Sequence, residues 1–460
     1  MATRFGAGSV VVPVDYPVSP AVPEPAPTSA NSGDATSAVP NAAADPALVP
    51  GADPAAPALA PGAVSPDVAA QVGAQVKEVT REKPFSMVAL TAKDLDGTTA
   101  MIRARDAEGR WGAWYPADPI ETGPTDGTTA DRAGTEPIYV GRTKDVQVLL
   151  THEADTSGHA REATATDLSA VLIDPGHGPS DAALSSIAAP LSDGGPKVIT
   201  RAQWGADPSL LCDKPTYDNG LSGIVVHHTA GRNDYTAAES PGIVRAIYAY
   251  HAKTLGWCDI GYNALIDKYG QIYEGRAGGL GKPVQGAHAG GFNQHTAGVA
   301  LMGDFQSQPP TDAAIQAAGR FIGWRTELAG LNPLSTTTLY SQGTSYTKYK
   351  KGAAVKLPTI FAHRDVGKTA CPGNAAYAQM DRIRKIAADT AASATRRSPI
   401  AANSDVSQDD SNQSRNSDTS TNPIPTQNPA TPTSPRTTPA TGNTPSRTSP
   451  GPEAASPGDR

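Results

Sequence analysis

The sequence predicts an α/β domain with a mixed central β-sheet flanked by helices, preceded by a small all-β domain, with long disordered segments at both chain ends. Three observations predict it. Between about Val198 and Ala391, short apolar runs alternate with stretches of helical periodicity. From about Pro84 to Thr151, five short runs of β-forming residues are separated by turn residues. Outside these stretches, residues 17–80 and 393–460 contain no aromatic side chain.

The ends come first. The leader is dominated by Ala, Pro and Val, and the tail by Ser, Thr, Pro and Asn. Neither buries enough apolar surface to offset an ordering cost of about 1–2 kcal/mol per residue. The division expected is a disordered leader over 1–82, the β domain over 83–152, a linker over 153–196, the α/β domain over 197–391 and a disordered tail over 392–460. The start "MATRFGAGSVVVPVDYP" has four valines broken by Pro13, short of the roughly 7–15 residues of a signal-peptide core. The formal charge is −7 and no run of Lys and Arg forms a nucleic-acid patch, so no nucleic-acid partner is expected. No apolar stretch approaches the roughly 20 residues of a transmembrane helix. Oligomeric state is not legible.

In the β domain, "FSMVALTA", "TAMIRARD", "RWGAWYPA", "PIYVGR" and "DVQVLLT" read as antiparallel strands. Trp111 and Trp114 read as buried core residues, with a carbohydrate platform as the alternative. In the α/β domain, "SGIVV" is a buried strand leading into His227. "ESPGIVRAIYAYHAKTLG" is a helix with Ile243, Ile247 and Tyr250 on one face, stopped by Gly256. "NALIDKYGQIYEG" is a hairpin turned at "DKYG", and "AGVALMGDF" is another strand. Thr311 caps a helix over 312–329, "PTIFA" leads into His363, and a last helix starts near Asn374.

His227 and His363 therefore each follow a short apolar strand, at the sheet edge where ligands gather. Cys371 lies eight residues beyond His363, and "HRDVGKTACPG" reads as a loop that returns the thiol to its own histidine. Two imidazoles and a thiolate suit Zn²⁺ and leave a fourth position open, as catalytic zinc sites do. The chain has three cysteines. Cys212 and Cys258 can pair and leave Cys371 free, but three unpaired thiols in a reducing compartment fit the spacing as well.

The segment from Val198 to Ala391 resembles a type 2 N-acetylmuramoyl-L-alanine amidase of the peptidoglycan recognition protein superfamily, which includes the phage T7 lysozyme type. The matching motifs are "ITRAQWGAD", "IVVHHTAG", "GWCDIGYNALIDKYGQIYEGR", "GAHAGGFNQHTAGVALMGDF" and "FAHRDVGKTACPG", five in order. The resemblance implies that His227, His363 and Cys371 hold a Zn²⁺ ion. It places the hydroxyls of Tyr262 and Thr369 as donors to the developing oxyanion. His228, Asn263 and His288 are the candidates for contact with substrate, and His228 and Glu274 for a general base. The implied substrate is peptidoglycan, cleaved between N-acetylmuramic acid and L-alanine of the stem peptide. The location implied is secreted or cell envelope. After "EGR" the loop "AGGLGKPVQ" is longer and richer in glycine than the segment that distinguishes stem peptides in animal members, so no such preference is carried over. A second motif, "LIDPGHG", resembles the opening metal motif of another zinc amidase class. No glutamate follows within twenty residues, so His177 reads as a loop histidine. Two other classes of function stay open: a non-hydrolytic peptidoglycan-binding module, and a wall-anchored structural protein.

Overall fold

The computed structural model describes residues 12–15, 75–124, 133–152 and 168–395, apart from positions 94, 96, 97, 179, 180, 184, 185, 187, 192 and 193. Most of the leader and nearly all of the tail expected to be disordered lie outside the described residues.

The N-terminal all-β part is one sheet. Its strands are β1 (Val12–Asp15), β2 (Gln75–Ala92), β3 (Thr98–Ala104), β4 (Tyr115–Pro116), β5 (Ala133–Gly134), β6 (Ile138–His152) and β7 (Ser169–Asp174). They run in the order β1-β7-β2-β6-β3-β4, with β5 paired to β2. All pairings are antiparallel except β1 with β7. Three strands depart from the expected division. β1 lies wholly inside the leader expected to be disordered, where its backbone pairs with β7. β2 starts inside the leader, because the long apolar strand β6 needs a partner along its length: Val76 pairs with Leu149 and Val79 with Val146. β7 lies inside the expected linker, where a wholly buried "SAVLID" zips onto Met87–Thr91. Trp111 and Trp114 are not core residues. Both are partly exposed, with the Arg105 guanidinium 4.5 Å from the Trp111 ring and that of Arg103 4.2 Å from the Trp114 ring.

The α/β part opens with the small pair β8 (Ala189–Pro190) and β9 (Lys197–Val198) and the helical turn α1 (Arg201–Trp204). Strand β10 (Gly223–His228) and helix α2 (Ser240–Ala249) follow. After them come β11 (Ala264–Ile266), β12 (Ile272–Glu274), β13 (Thr296–Leu301) and α3 (Asp312–Leu328). The chain then forms β14 (Thr336–Tyr340), β15 (Ala354–Pro358), β16 (Ile360–Ala362), α4 (His363–Val366), α5 (Asn374–Tyr377) and α6 (Met380–Thr395). The central sheet is ordered β12-β11-β13-β10-β16 and is mixed, as expected: only β11 with β12 is antiparallel. Thr311 caps α3 by accepting from Ala314 N. The antiparallel pair β14–β15 was not read from the sequence: burial alternates along both strands, but "TTTLY" opens with three threonines, so no alternation of residue type marks it.

The two sheets share a core. Met87, Ala89, Val171 and Ile173 of the first sheet pack in one cluster with Ile243, Ile247, Tyr250 and Tyr262 of the second part. Their alternate neighbours Val88, Leu90, Ala170 and Leu172 face the β domain's own interior. Each strand is thus buried on both faces, the situation that removes alternation and leaves a continuous apolar run. Helix α2 is caught between the parts, and all ten of its residues are buried. The outer face that would meet water in a lone domain carries Arg245, whose guanidinium donates to Pro175 O, Gly176 O and Trp204 O and forms an ion pair with Asp181.

Cys212 and Cys258 form a disulfide, with Cα atoms 4.8 Å apart across a separation of 46 residues, and Cys371 is free. Closing a loop of that length constrains the unfolded chain by roughly 4 kcal/mol in the chain-entropy model. The Cys212→Ser/Cys258→Ser double variant is expected to lose about 2–4 kcal/mol in urea unfolding. A loss below about 1 kcal/mol would show that native contacts alone hold this loop.

Candidate functional site

Strand β10 lies inside the sheet, between β13 and the edge strand β16, and runs parallel to both. Val226 stands opposite Ala362 on β16, so the next residue of each strand, His227 and His363, emerges at the same edge and on the same side. Their ring centroids are 4.7 Å apart. One helical turn, α4, opens the stretch expected to be loop throughout, and Ala362 N donates to Asp365 Oδ2 at 2.8 Å at its start. The chain then returns Cys371, whose Sγ accepts from His228 N at 3.4 Å and lies 3.7 Å from His227 Nδ1. The three ligand-type atoms lie within 4.8 Å of one another. Among the described residues no other His, Cys, Asp and Glu side chains form such a group.

The pocket is deep: His227 is 1% exposed, His363 6% and Cys371 9%. Burial, then the neighbouring His363, His288 and His228, holds His227 well below the usual imidazole range. Burial also takes His363 and His228 down to about 3. The imidazoles are therefore neutral and keep their lone pairs. Burial pushes the Cys371 thiol well above its usual value. Two uncharged imidazoles around a protonated thiol are what desolvation dictates without a counter-ion, and a divalent cation reverses it. The donor set fits such an ion. His363 Nε2 is buried without a hydrogen-bond partner. The 3.7 Å between His227 Nδ1 and Cys371 Sγ is close to the roughly 3.3–3.8 Å that separates ligands around a tetrahedral zinc.

Tyr262 stands beside the pocket, 5% exposed, with its ring centroid 5.4 Å from that of His227. Burial, then the Glu136 carboxyl, pushes its phenol well above the usual range, so it stays a donor. Thr369 Oγ1 accepts from Cys371 N at 3.1 Å, which shapes the loop and leaves the hydroxyl hydrogen free to point outward.

His288, Asn263 and Glu274 differ from expectation. His288 was expected against substrate but is 2% exposed and lies behind His227, its Nδ1 3.1 Å from His227 Nε2. With the hydrogen of His227 on Nε2, His288 accepts it and leaves Nδ1 bare towards Cys371. Gly298 makes the space: a Cβ there would sit 2.4 Å from the His288 ring. Asn263 accepts from Gly298 N at 2.8 Å and donates to Val284 O at 2.9 Å, so its amide ties strand to loop. Glu274 accepts from Arg201 N at 3.1 Å, at the start of α1, and is engaged in that turn. His228 lies beside the pocket, and its Nδ1 accepts from Phe305 N at 3.4 Å. His177 is exposed on the turn after β7.

One side chain at the site had no signal in the sequence. Glu136, between β5 and β6 of the first sheet, accepts from the Tyr262 hydroxyl at 3.4 Å. Nothing in "GTEPIYVGR" marks it, because the other partner lies 126 residues away.

Fold and site together define a protein with a three-donor pocket at the strand ends of a mixed sheet, walled in part by a separate β domain. The family described as N-acetylmuramoyl-L-alanine amidase matches residues 217–374, and that described as Rv3811 N-terminal galactose-binding domain-like matches residues 36–168. Peptidoglycan-recognition protein SC2 of Drosophila melanogaster is 34% identical over 179 residues, which is 39% of this chain and 82% of that protein. Human peptidoglycan recognition protein 3 is 34% identical over 127 residues, 28% of this chain and 35% of that protein. Among solved structures, the endolysin N-acetylmuramoyl-L-alanine amidase LysCS from Clostridium intestinale is similar over 42% of this chain and 97% of its own, at 23% identity and a TM-score of 0.30. The chain belongs to the peptidoglycan recognition protein family of type 2 amidases, preceded by a galactose-binding-like β domain.

Proposed function

We propose that this protein is a zinc-dependent N-acetylmuramoyl-L-alanine amidase that hydrolyses the amide between N-acetylmuramic acid and L-alanine in peptidoglycan, acting outside the cell or in its envelope. The observation that carries the reading is the complete set of His227, His363 and Cys371, converging at one buried point with Tyr262 beside it. His227 through Nδ1, His363 and the Cys371 thiolate would hold the ion. Bound there, zinc supplies Lewis-acid polarisation of the amide carbonyl and a more acidic water. The remaining work falls to the chain. His288 fixes the ring of His227, and burial excludes bulk water from the donors. Tyr262 holds a hydroxyl hydrogen where negative charge builds on the carbonyl oxygen, with Thr369 as a second donor from the cysteine loop.

Tyr262→Phe is expected to lower kcat by about 10²–10³-fold on purified cell wall while zinc content stays stoichiometric. Release of L-alanine amino groups and mass spectrometry of the muropeptides measure it. A zinc-loaded wild type that binds stem peptides and releases no amine would instead establish a binding module.

A further inference from the structure

The first sheet reaches into the cleft of the second part. Gly290 N donates to Glu121 O at 3.3 Å, and Asn293 Nδ2 donates to Thr122 Oγ1 at 3.3 Å. Glu136 N donates to Asp118 O at 2.7 Å and Thr135 N to Leu90 O at 2.9 Å, so the backbone that presents Glu136 is itself anchored in the sheet. The ring of Tyr262 is anchored by the core common to both sheets, which also includes Ile120 and Tyr139. What packing leaves undecided is the direction of its hydroxyl, because rotation about the C–O bond costs little and changes no apolar contact.

We propose that Glu136 is a positioning residue for the amidase centre: its carboxyl fixes the Tyr262 hydroxyl beside the His227–His363–Cys371 pocket, which makes the N-terminal β domain a working part of the active site. The inference rests on the amidase reading. The electrostatics support the geometry. Burial, then the neighbouring Asp118 carboxylate, pushes Glu136 up to about 8, against the contact with Tyr262, and Glu121 adds to the rise. Tyr250 and Cys371 are the other titratable groups whose own ionisation feels Glu136. At neutral pH the carboxyl is mostly un-ionised, so the 3.4 Å contact in which it accepts from Tyr262 can also run the other way, with the carboxyl donating to Tyr262 Oη. The phenolic hydrogen is then left for an acceptor in the cleft. An ionised carboxylate would capture that hydrogen instead.

The test uses the full chain on a defined muropeptide. Glu136→Ala is expected to lower kcat by about 10–100-fold with KM moving less than about threefold. Glu136→Gln keeps a neutral donor at the same reach and is expected to recover kcat to within about threefold of wild type. In a Tyr262→Phe background, Glu136→Ala should add less than about twofold, because its effect passes through the missing hydroxyl. Equal losses in both backgrounds, or an unaltered kcat in Glu136→Ala, would overturn the proposal. A second readout needs no turnover: the ¹³Cζ resonance of Tyr262, assigned by its disappearance in Tyr262→Phe. It should shift in Glu136→Ala and return towards wild type in Glu136→Gln. An unmoved resonance overturns the positioning role. A wild type that releases no amine defeats the amidase reading separately.

Discussion

Cys371→Ser is expected to remove stoichiometric zinc and to lower amide hydrolysis by at least about 10³-fold, with the fold retained. The thiolate is the one soft, anionic donor of the set. A serine hydroxyl offers a neutral oxygen that does not ionise at neutral pH, so the ion keeps two imidazoles and loses the charge that offsets its own. The fold has little reason to change. Cys371 takes no part in the disulfide, and its thiol meets the backbone through the weak acceptance from His228 N, while the backbone bonds of Cys371 N to Thr369 Oγ1 and of Arg364 N to Cys371 O do not involve the side chain. Metal analysis by plasma mass spectrometry beside near-UV circular dichroism separates the two quantities. A Cys371→Ser protein that still carries one zinc per chain would remove Cys371 from the centre. His363→Ala gives the matching check, because it deletes a buried ring nitrogen that has no other partner.

The largest stability effect is expected at Arg245. Its side chain is 3% exposed and that of Asp181 11%, with Arg245 Nη2 2.7 Å from Asp181 Oδ2. Three carbonyls complete the shell: Pro175 at 3.1 Å, Gly176 at 3.1 Å and Trp204 at 2.7 Å. Arg245→Ala strips all of them at once and leaves a carboxylate half of a desolvated pair, a change that costs about 3–5 kcal/mol. The pair also ties the "DPGHG" turn after β7 to helix α2, so the loss falls on the seam between the two sheets. Urea unfolding followed by tryptophan fluorescence is the measurement. A loss below about 1 kcal/mol would mean that the apolar core alone joins the parts. Arg245→Ala/Asp181→Ala should lose less than the sum of the single changes, since neither charge is then stranded.

The candidate donors were legible because their signal is local. A continuous apolar strand followed at once by histidine places His227 and His363 at the same sheet edge, and a Pro-Gly after Cys371 keeps that segment from continuing as helix. What could not be read was everything that depends on the second sheet. "AVLID" fell inside a segment expected to be linker, and a strand covered on both sides carries no alternation that would have set it apart. Trp111 and Trp114 read as core residues, and nothing in the sequence marked Arg245 as buried. The family resemblance offered His288 as a substrate contact. In the fold, Gly286 and Gly298 leave room for its ring behind His227.

The sequence by itself determined the order of the strands and helices that build the pocket and the chemical character of its three donors, because periodicity and side-chain type act over a few residues. Only the tertiary structure decided that a second sheet closes over α2, that His288 turns inward to orient His227, and that Glu136 meets Tyr262 across the seam. Those outcomes come from covering apolar faces that have no other partner, and which face meets which is settled only when the whole chain has packed.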